Sequence, residues 1–170
     1  MTTLAEVHST PGVAAYMAEV EAGLAQAVTV EPGLAREVAG EALAAGGKRL
    51  RPLLCFLTAC RDPSVAAGVA VEMVHMATLV HDDLVDGARL RRGLPAAWSV
   101  YGADAAKAAG DYLYACAFKV LSDTGDAHAV STLADAALCL ARGEAMQRLQ
   151  THDPSTTVEA YLERCSLKTG

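Results

Sequence analysis

The sequence predicts an all-α protein built as a bundle of closely packed helices. Its 170 residues are 52% hydrophobic but only 5% aromatic, and helix-forming alanine is spread along the whole chain. Small and aliphatic side chains in this proportion suit packed helices better than a sheet. Apolar residues recur with helical spacing in successive segments, and glycine or proline separates these segments. The chain is long enough for a sizeable core, and we expect a single domain over residues 1–170.

Composition and charge argue against several classes of protein. The formal net charge is −6 and the basic residues form no tail, so nucleic acid is not expected as a partner. No apolar run reaches the roughly 18 residues of a membrane span. The start, MTTLAEVHST, lacks the basic and apolar regions of a signal peptide. The five cysteines form no C-x-x-C pair, and we expect buried free thiols in a cytoplasmic protein.

Three helices are predicted in the first third of the chain. The first covers about residues 11–28 and is interrupted at 31–33 by Glu-Pro-Gly. Its apolar stripe consists of Val13, Met17, Val20 and Leu24. The second covers about 34–45 and stops at a pair of glycines. A third, apolar helix begins near the proline of GGKRLRP at 46–52, because proline suits a first helical turn.

Four further helices complete the predicted bundle. They cover about residues 65–86, 103–121, 127–149 and 156–170. Turns are predicted at Arg61–Ser64, Thr124–Asp126 and Asp153–Ser155. The segment that follows residue 86 is predicted as a basic loop punctuated by glycine and proline.

The basic loop at 46–52 allows two interpretations. In many sequences a short run such as Lys48, Arg49 and Arg51 merely solvates a turn. Alternatively, the two glycines permit unusual backbone angles, and the following helix start offers unpaired N–H groups and the positive end of its dipole. In that case the cationic side chains would help to bind an anion such as a diphosphate.

The motif HDDLVD ends the predicted helix 65–86 with three aspartates. Asp82 and Asp86 lie about one turn apart on the same face, whereas Asp83 points about 100° away. Two close carboxylates at a helix C-terminus repel each other and the helix dipole, and a bound cation relieves this repulsion. Oxygen ligands without a neighbouring cysteine or paired histidine suit Mg²⁺ better than Zn²⁺.

Other interpretations of the acidic motif stay open. It forms either a solvated acidic face or salt bridges with the arginines that follow, Arg89, Arg91 and Arg92. In the other interpretation, the aspartates bind a polyphosphate through Mg²⁺ while the arginines bind it directly. His75 lies seven residues before Asp82 and near the same helix face, although a lone histidine there is more often a satisfied core residue.

Six motifs follow one another along the chain. They are GGKRLRP at 46–52, EMVHMATLVHDDLVD at 72–86, RRGLPAAWSVYG at 91–102, GD at 110–111, GEAMQ at 143–147 and KT at 168–169. In their order and spacing these motifs resemble those of the trans-isoprenyl diphosphate synthases, also called polyprenyl synthetases. The basic loop followed by HDDxxD and RRGxP is a highly specific combination, whereas either part alone would be weak.

The resemblance implies a fold, a reaction and a cofactor. The fold is an antiparallel helix bundle around a deep central cavity, and the protein is expected to be a homodimer. The reaction is a 1′-4 condensation of an allylic diphosphate with isopentenyl diphosphate. Ionisation of the allylic C–O bond produces a carbocation and a diphosphate, so Mg²⁺ is needed to neutralise the leaving group.

The resemblance also implies roles for individual residues. The residues expected to act in catalysis are Asp82, Asp83, Asp86 and Lys168. Among them, Asp82 and Asp86 are the expected Mg²⁺ ligands and Asp83 a supporting partner. The positions matching the isopentenyl diphosphate site are Lys48, Arg51, His75 and Arg92. The positions matching the allylic diphosphate site are Arg91 and Lys168, with Gln147 and Thr169 lining the same site.

The resemblance implies that helix residues before the first aspartate determine the length of the product. In the family, bulky side chains one or two turns before that residue form the floor of the product pocket. Here the positions are Val74, Ala77 and Thr78, none of which is aromatic. The resemblance therefore implies an open tunnel and a product of about C20 or longer.

Family members carry a second Asp-rich motif on a later helix, and this chain has none. We expect a fragment of a longer synthase, lacking the C-terminal helices of the bundle, rather than a naturally short relative. A helix that ends at its own functional residues favours the fragment. Two alternatives are a non-catalytic subunit that modulates a full-length partner and a terpene cyclase. Intact motifs argue against the first, and a basic loop for a second diphosphate argues against the second.

Overall fold

The computed structural model describes residues 7, 9–29, 33–60 and 62–169, and it confirms an all-α fold with one short antiparallel ribbon. The helices are α1 (Val13–Ala27), α2 (Leu34–Ala44), α3 (Leu50–Thr58), α4 (Val65–Asp86), α5 (Ala97–Tyr101), α6 (Ala103–Ser122), α7 (Ala127–Gln150) and α8 (Val158–Thr169). The ribbon joins β1 (Leu90–Arg91) to β2 (Leu94–Pro95). Among the described helices, none is long and apolar enough to cross a bilayer.

The predicted helices correspond to described ones with small shifts at their ends. Helix α4 begins and ends at the predicted residues, because a serine precedes it and a glycine follows it. Three predicted features lie partly or wholly outside the described residues. They are the segment MTTLAEVHST, the interruption at 31–33, and the turn that begins at Arg61.

The chain divides into two compact units. Unit 1 is Met1–Asp126 and contains α1 to α6 with the ribbon, and unit 2 is Ala127–Gly170 and contains α7 and α8. The prediction of a single domain over the whole chain stays a prediction.

Helix α4 is the central element of unit 1 and contacts α1, α3 and α6. The Ser64 hydroxyl caps its start by accepting a hydrogen bond from the Ala67 N–H at 3.2 Å. Gly87 ends it in the left-handed conformation, at φ 66°, and the Ala88 N–H donates to the Asp83 carbonyl at 2.9 Å. Its buried apolar residues are Val69, Ala70, Met73, Val74, Met76, Ala77 and Val80. The acidic motif is therefore carried by a helix that is anchored over most of its length.

Helix α6 approaches α4 closely at Gly110. A Cβ atom on Gly110 would lie 2.2 Å from Nε2 of His81, so only glycine leaves room for this ring. The ring also stacks against Tyr114, with 6.2 Å between centroids, and its Nε2 lies 3.3 Å from Oδ1 of Asp111. The residue next to Asp82 is thereby held against α6.

The segment after α4 was predicted as a loop, and the structure corrects this to a ribbon followed by helix α5. Leu90–Arg91 pairs with Leu94–Pro95, which leaves Arg92 and Gly93 as a two-residue turn. Both have positive φ, 55° and 81°, as a type I′ turn requires. Strands of two residues and a helix of five carry no periodic pattern, although a two-residue turn ending in glycine was a usable indication.

The cysteines are free, but the prediction that they are buried was wrong. Cys60 is exposed, and the other four, Cys55, Cys116, Cys139 and Cys165, are half-buried. The buried positions of the described helices are filled mainly by valine, leucine, methionine and alanine.

Unit 2 is a pair of helices that meet at Gly143. A Cβ atom there would lie 2.7 Å from the backbone nitrogen of Lys168, so α7 and α8 are in backbone contact at this point. Among the described residues of this unit, only Leu133 and Gly143 are buried. The helices expose large apolar side chains, namely Leu138, Leu149, Val158 and Leu162.

Candidate functional site

Two loops of unit 1 meet where glycine leaves room. A Cβ atom on Gly47 would lie 2.7 Å from Nη1 of Arg92, so the guanidinium of the ribbon turn rests on the basic loop. Arg92, Lys48 and Arg51 are all exposed. Two separate segments of the sequence thus contribute their cations to one region of the surface.

His75 of α4 is close enough to this cationic region for the arginines to affect its imidazole. Its pKa falls from 6.5 to about 4, first because burial disfavours the charged ring and then because Arg51, Arg92, Arg91 and Arg49 lie near it, in that order of effect. The imidazole is therefore neutral at physiological pH. Arg49 and Arg91 are paired with carboxylates, whereas Arg51 and Arg92 are exposed, and exposed guanidinium groups are suited to an anion with several oxygens.

Arg49 differs from the other cations of the basic loop because it is buried, with only 8% of its side chain exposed. Its Nε donates to Glu21 at 2.7 Å, and its Nη1 donates to Glu72 at 3.1 Å. Its Nη2 donates to the Leu43 carbonyl at 3.0 Å. The interpretation of this residue as part of a solvated or anion-binding run missed this network. A glutamate at 72, within an otherwise apolar stretch of α4, was the one indication of it.

The three aspartates of α4 have different environments. Asp83 is buried and accepts hydrogen bonds from Arg91 Nε at 3.0 and 3.1 Å, and from Arg91 Nη2. Asp82 is half-buried and Asp86 is exposed. The pKa of Arg91 is raised, first by the hydrogen bond to Asp83 and further by the charges of Asp83, Asp82 and Asp86. An ion pair and a carboxylate pair therefore lie side by side at this helix end.

The donor set at the end of α4 fits Mg²⁺ bound through few protein ligands. Within the described ranges, no group of three or more histidine, cysteine, aspartate or glutamate side chains is arranged to hold a metal ion. Mg²⁺ commonly keeps several waters and binds one or two carboxylates together with substrate phosphates. Asp82 and Asp86 provide two carboxylates one turn apart, whereas Asp83 is occupied by Arg91.

Unit 2 contains its own polar cluster around Lys168. The Lys168 ammonium donates to Glu144 Oε2 at 2.6 Å and to Gln147 Oε1 at 3.1 Å, and all three side chains are half-buried. Thr169 is exposed. Glu144 and Gln147 are therefore part of a hydrogen-bonded group and not a freely solvated face.

The residues predicted to set product length lie along α4. Val74 and Ala77 are buried, and the half-buried Thr78 donates its hydroxyl to the His75 carbonyl at 2.7 Å. A cavity of about 300 Å³ occurs between α2, α4 and α5, but these three residues do not line it. Its apolar lining includes Val38, Met76, Val80, Ala96 and Val100. The prediction of product length stays a prediction.

The lowered pKa of His75 makes the stability of the fold pH-dependent. Between pH 6.5 and about 4 the unfolded chain binds a proton on this ring that the folded chain does not. This contribution therefore lowers the free energy of unfolding as pH falls through that window, and His75→Gln should remove it. An NMR titration of the imidazole should show a midpoint near 4, which moves upward when inorganic diphosphate neutralises the arginines. A midpoint at the ordinary 6.5 would contradict this.

Comparisons with known proteins show the family to which the chain belongs. Residues 33–170 match the family model described as Polyprenyl synthetase. A nonaprenyl diphosphate synthase from Mycobacterium tuberculosis is 38% identical over 172 residues, covering 94% of this chain and 51% of that protein. The crystal structure of a decaprenyl diphosphate synthase from Rhodobacter capsulatus has a TM-score of 0.87 at 33% identity, covering 96% of this chain and 52% of the other.

A second solved structure includes bound ligands. A polyprenyl synthase from Caulobacter crescentus, complexed with calcium and isoprenyl diphosphate, has a TM-score of 0.84 at 36% identity. The match covers 91% of this chain and 49% of that one. The chain therefore spans about half the length of the relatives that it matches.

Proposed function

Because the chain belongs to the polyprenyl synthetase family, we propose that it binds both substrates of a prenyltransferase reaction. The reaction joins isopentenyl diphosphate to an allylic diphosphate and yields a longer trans-polyprenyl diphosphate. The observation that carries this proposal is the meeting of the basic loop and the ribbon turn at Gly47 and Arg92, because it brings several exposed cations to one region of the surface. The proposed product length is about C20 or more.

We propose that Lys48, Arg51 and Arg92 bind the diphosphate of isopentenyl diphosphate beside His75. The three cations are exposed, so they reach a soluble ligand without breaking a buried pair. His75 is neutral before binding and can donate one hydrogen bond from its ring. The cations hold the diphosphate end of the substrate, and the alkene end is thereby oriented for attack.

Asp82 and Asp86 are proposed to hold Mg²⁺ at the allylic diphosphate. Mg²⁺, when bound, neutralises the charge of the departing diphosphate. Calcium and isoprenyl diphosphate in the Caulobacter crescentus relative support a metal-assisted site of this kind. Asp83 fixes Arg91 through its hydrogen bonds, which orients one guanidinium edge and leaves Nη1 without a bond to Asp83. Arg91 is therefore proposed to contact the allylic diphosphate while paired with Asp83.

Lys168, Gln147 and Thr169 are proposed, from the resemblance, to bind diphosphate within unit 2. In the described structure the Lys168 ammonium is held by Glu144 and Gln147, which fixes its position but offsets its charge. Binding a diphosphate requires Lys168 to share its protons with the new oxygens. The expected homodimer and the cytoplasmic location are proposed together with this function, from the resemblance and the composition.

Two other functions stay as alternatives to prenyl chain elongation. A non-catalytic subunit would keep the helices but not need the diphosphate region, whereas here the cations of that region are exposed and assembled. A terpene cyclase ionises one diphosphate and has no use for a second anion site. The presence of both the cationic region and the acidic helix end favours the two-substrate reaction.

The proposed function is tested by isothermal titration of the chain with isopentenyl diphosphate. Lys48→Ala/Arg51→Ala should weaken binding by about 100-fold, because each lost hydrogen bond to a charged group contributes about 1.5 kcal/mol or more. The matched control is Lys107→Ala/Lys119→Ala, which removes two exposed lysines from α6 and should bind like the parent. Equal affinity of the two double variants would overturn the assignment of the cationic region.

A further inference from the structure

We propose that Arg49 is a positioning residue for the diphosphate region: it holds the basic loop so that Lys48 and Arg51 face the ligand, without binding the ligand itself. The inference rests on the proposed function, because it concerns the isopentenyl diphosphate side of that site. Arg49 lies between the two proposed ligand-binding cations in sequence, but its own side chain points into the protein.

The contacts of Arg49 tie the loop to three helices at once. Two of its nitrogens, Nε and Nη2, donate to the two carboxylate oxygens of Glu21 on α1, at 2.7 and 3.3 Å. Its Nη1 donates to Glu72 on α4, and its Nη2 also reaches the Leu43 carbonyl on α2. The loop is thereby fixed to the same helix that carries His75 and the aspartates.

The backbone of Arg49 needs this support. Its φ of 45° and ψ of 41° are left-handed, a conformation that non-glycine residues seldom adopt. The residue is also the N-cap of α3, and its carbonyl accepts the Leu53 N–H at 3.2 Å. The residues on either side of Arg49, Lys48 and Leu50, are exposed, while the network holds Arg49 itself buried in this left-handed conformation.

Arg49 differs from the proposed ligand-binding cations because carboxylates compensate its charge. Glu72 is buried and Glu21 is half-exposed, and together they offset the buried guanidinium. Lys48 and Arg51 have no carboxylate partner among the described ion pairs. The anion-binding charge of this loop therefore resides on Lys48 and Arg51, and Arg49 acts through their placement.

Arg49→Lys tests this role because it keeps the charge and removes the planar fork. An ammonium cannot bond both oxygens of Glu21 and also reach Glu72 and Leu43 with the same geometry. We expect the affinity for isopentenyl diphosphate, measured by isothermal titration without metal, to fall about tenfold. Affinity for geranyl diphosphate in the presence of Mg²⁺, measured in the same way, should change less than about twofold.

If Arg49 had only a general structural role, Arg49→Lys would weaken the binding of both ligands to the same degree. The difference between the two losses of affinity therefore shows whether Arg49 positions the isopentenyl diphosphate site. Parallel losses for isopentenyl diphosphate and geranyl diphosphate would overturn the proposal, as would unchanged binding of isopentenyl diphosphate in Arg49→Lys. If that variant does not fold, Glu21→Gln replaces it, because this side chain is 51% exposed and the change keeps its shape. It should lower isopentenyl diphosphate affinity about threefold, and parent-like affinity would overturn the proposal.

The outcome for the parent chain separates this proposal from the proposed function. If the parent binds no isopentenyl diphosphate, the proposed function is overturned, and the positioning role with it. If the parent binds and Lys48→Ala/Arg51→Ala does not, the proposed function stands. In that case only the behaviour of Arg49→Lys or Glu21→Gln decides the role of Arg49.

Discussion

Replacing Asp82 and Asp86 together by asparagine is expected to abolish the Mg²⁺-dependent part of allylic diphosphate binding. Loss of outer-sphere partners alone commonly lowers metal affinity about 10- to 100-fold. Loss of both proposed ligands should therefore cost more than about 100-fold. The measurement is titration with geranyl diphosphate in Mg²⁺ and again in EDTA. For Asp82→Asn/Asp86→Asn the two affinities should coincide, whereas for the parent they should differ.

A charge-matched control excludes a general effect of lost acidity. Asp123→Asn/Asp126→Asn removes two carboxylates from the end of unit 1, after α6, and leaves the acidic motif unchanged. It should retain the parent's Mg²⁺ dependence. Undiminished Mg²⁺-dependent binding by Asp82→Asn/Asp86→Asn would refute these residues as the metal ligands. Asp83→Asn should behave differently from both, because its loss frees Arg91 and leaves a guanidinium without its buried partner.

The helices of this protein were predictable because the residues that start and end a helix, and the spacing of its apolar residues, can be read from a short stretch of sequence. Ser64 precedes α4 and Gly87 follows it, and apolar residues between them recur with helical spacing. His75 and Asp82 are seven residues apart and both lie half-buried, as one helix face requires. The same local information cannot distinguish Arg49 from Arg51. What makes Arg49 buried is Glu21 and Glu72, which lie 28 and 23 residues away in sequence.

The competing interpretations of the acidic and basic clusters were not mutually exclusive. A salt bridge was one alternative for the aspartates and the arginines after them, and Arg91 with Asp83 forms one. Arg92, its neighbour, lies instead on Gly47 of the basic loop. Alternation of side chains along a ribbon and its turn sends adjacent arginines to different partners. Sequence alone did not predict the ribbon, so it did not predict this division.

Gly110→Ala, at the one glycine of α6, is expected to lower the stability of the fold, because the new methyl group would overlap the His81 ring. The predicted Cβ position is 2.2 Å from Nε2 and 2.4 Å from Cδ2 of that ring. Overpacking of this kind typically costs about 1–3 kcal/mol, and we expect about 2–3 kcal/mol here because Gly110 is buried and the His81 ring is stacked against Tyr114. Thermal unfolding should then shift downward by roughly 6–9 °C.

Gly40→Ala is the matched control, and it is expected to change stability in the opposite direction. Gly40 also lies inside a helix, α2, but a Cβ atom there would meet nothing within 4 Å. Its replacement should stabilise the fold by about 0.5–1 kcal/mol, because alanine restricts the unfolded chain and favours the helix. Combining Gly110→Ala with His81→Ala should recover much of the lost stability, since the clash requires both side chains. Equal shifts for Gly110→Ala and Gly40→Ala would contradict the close approach of α6 to the helix that carries Asp82 and Asp86.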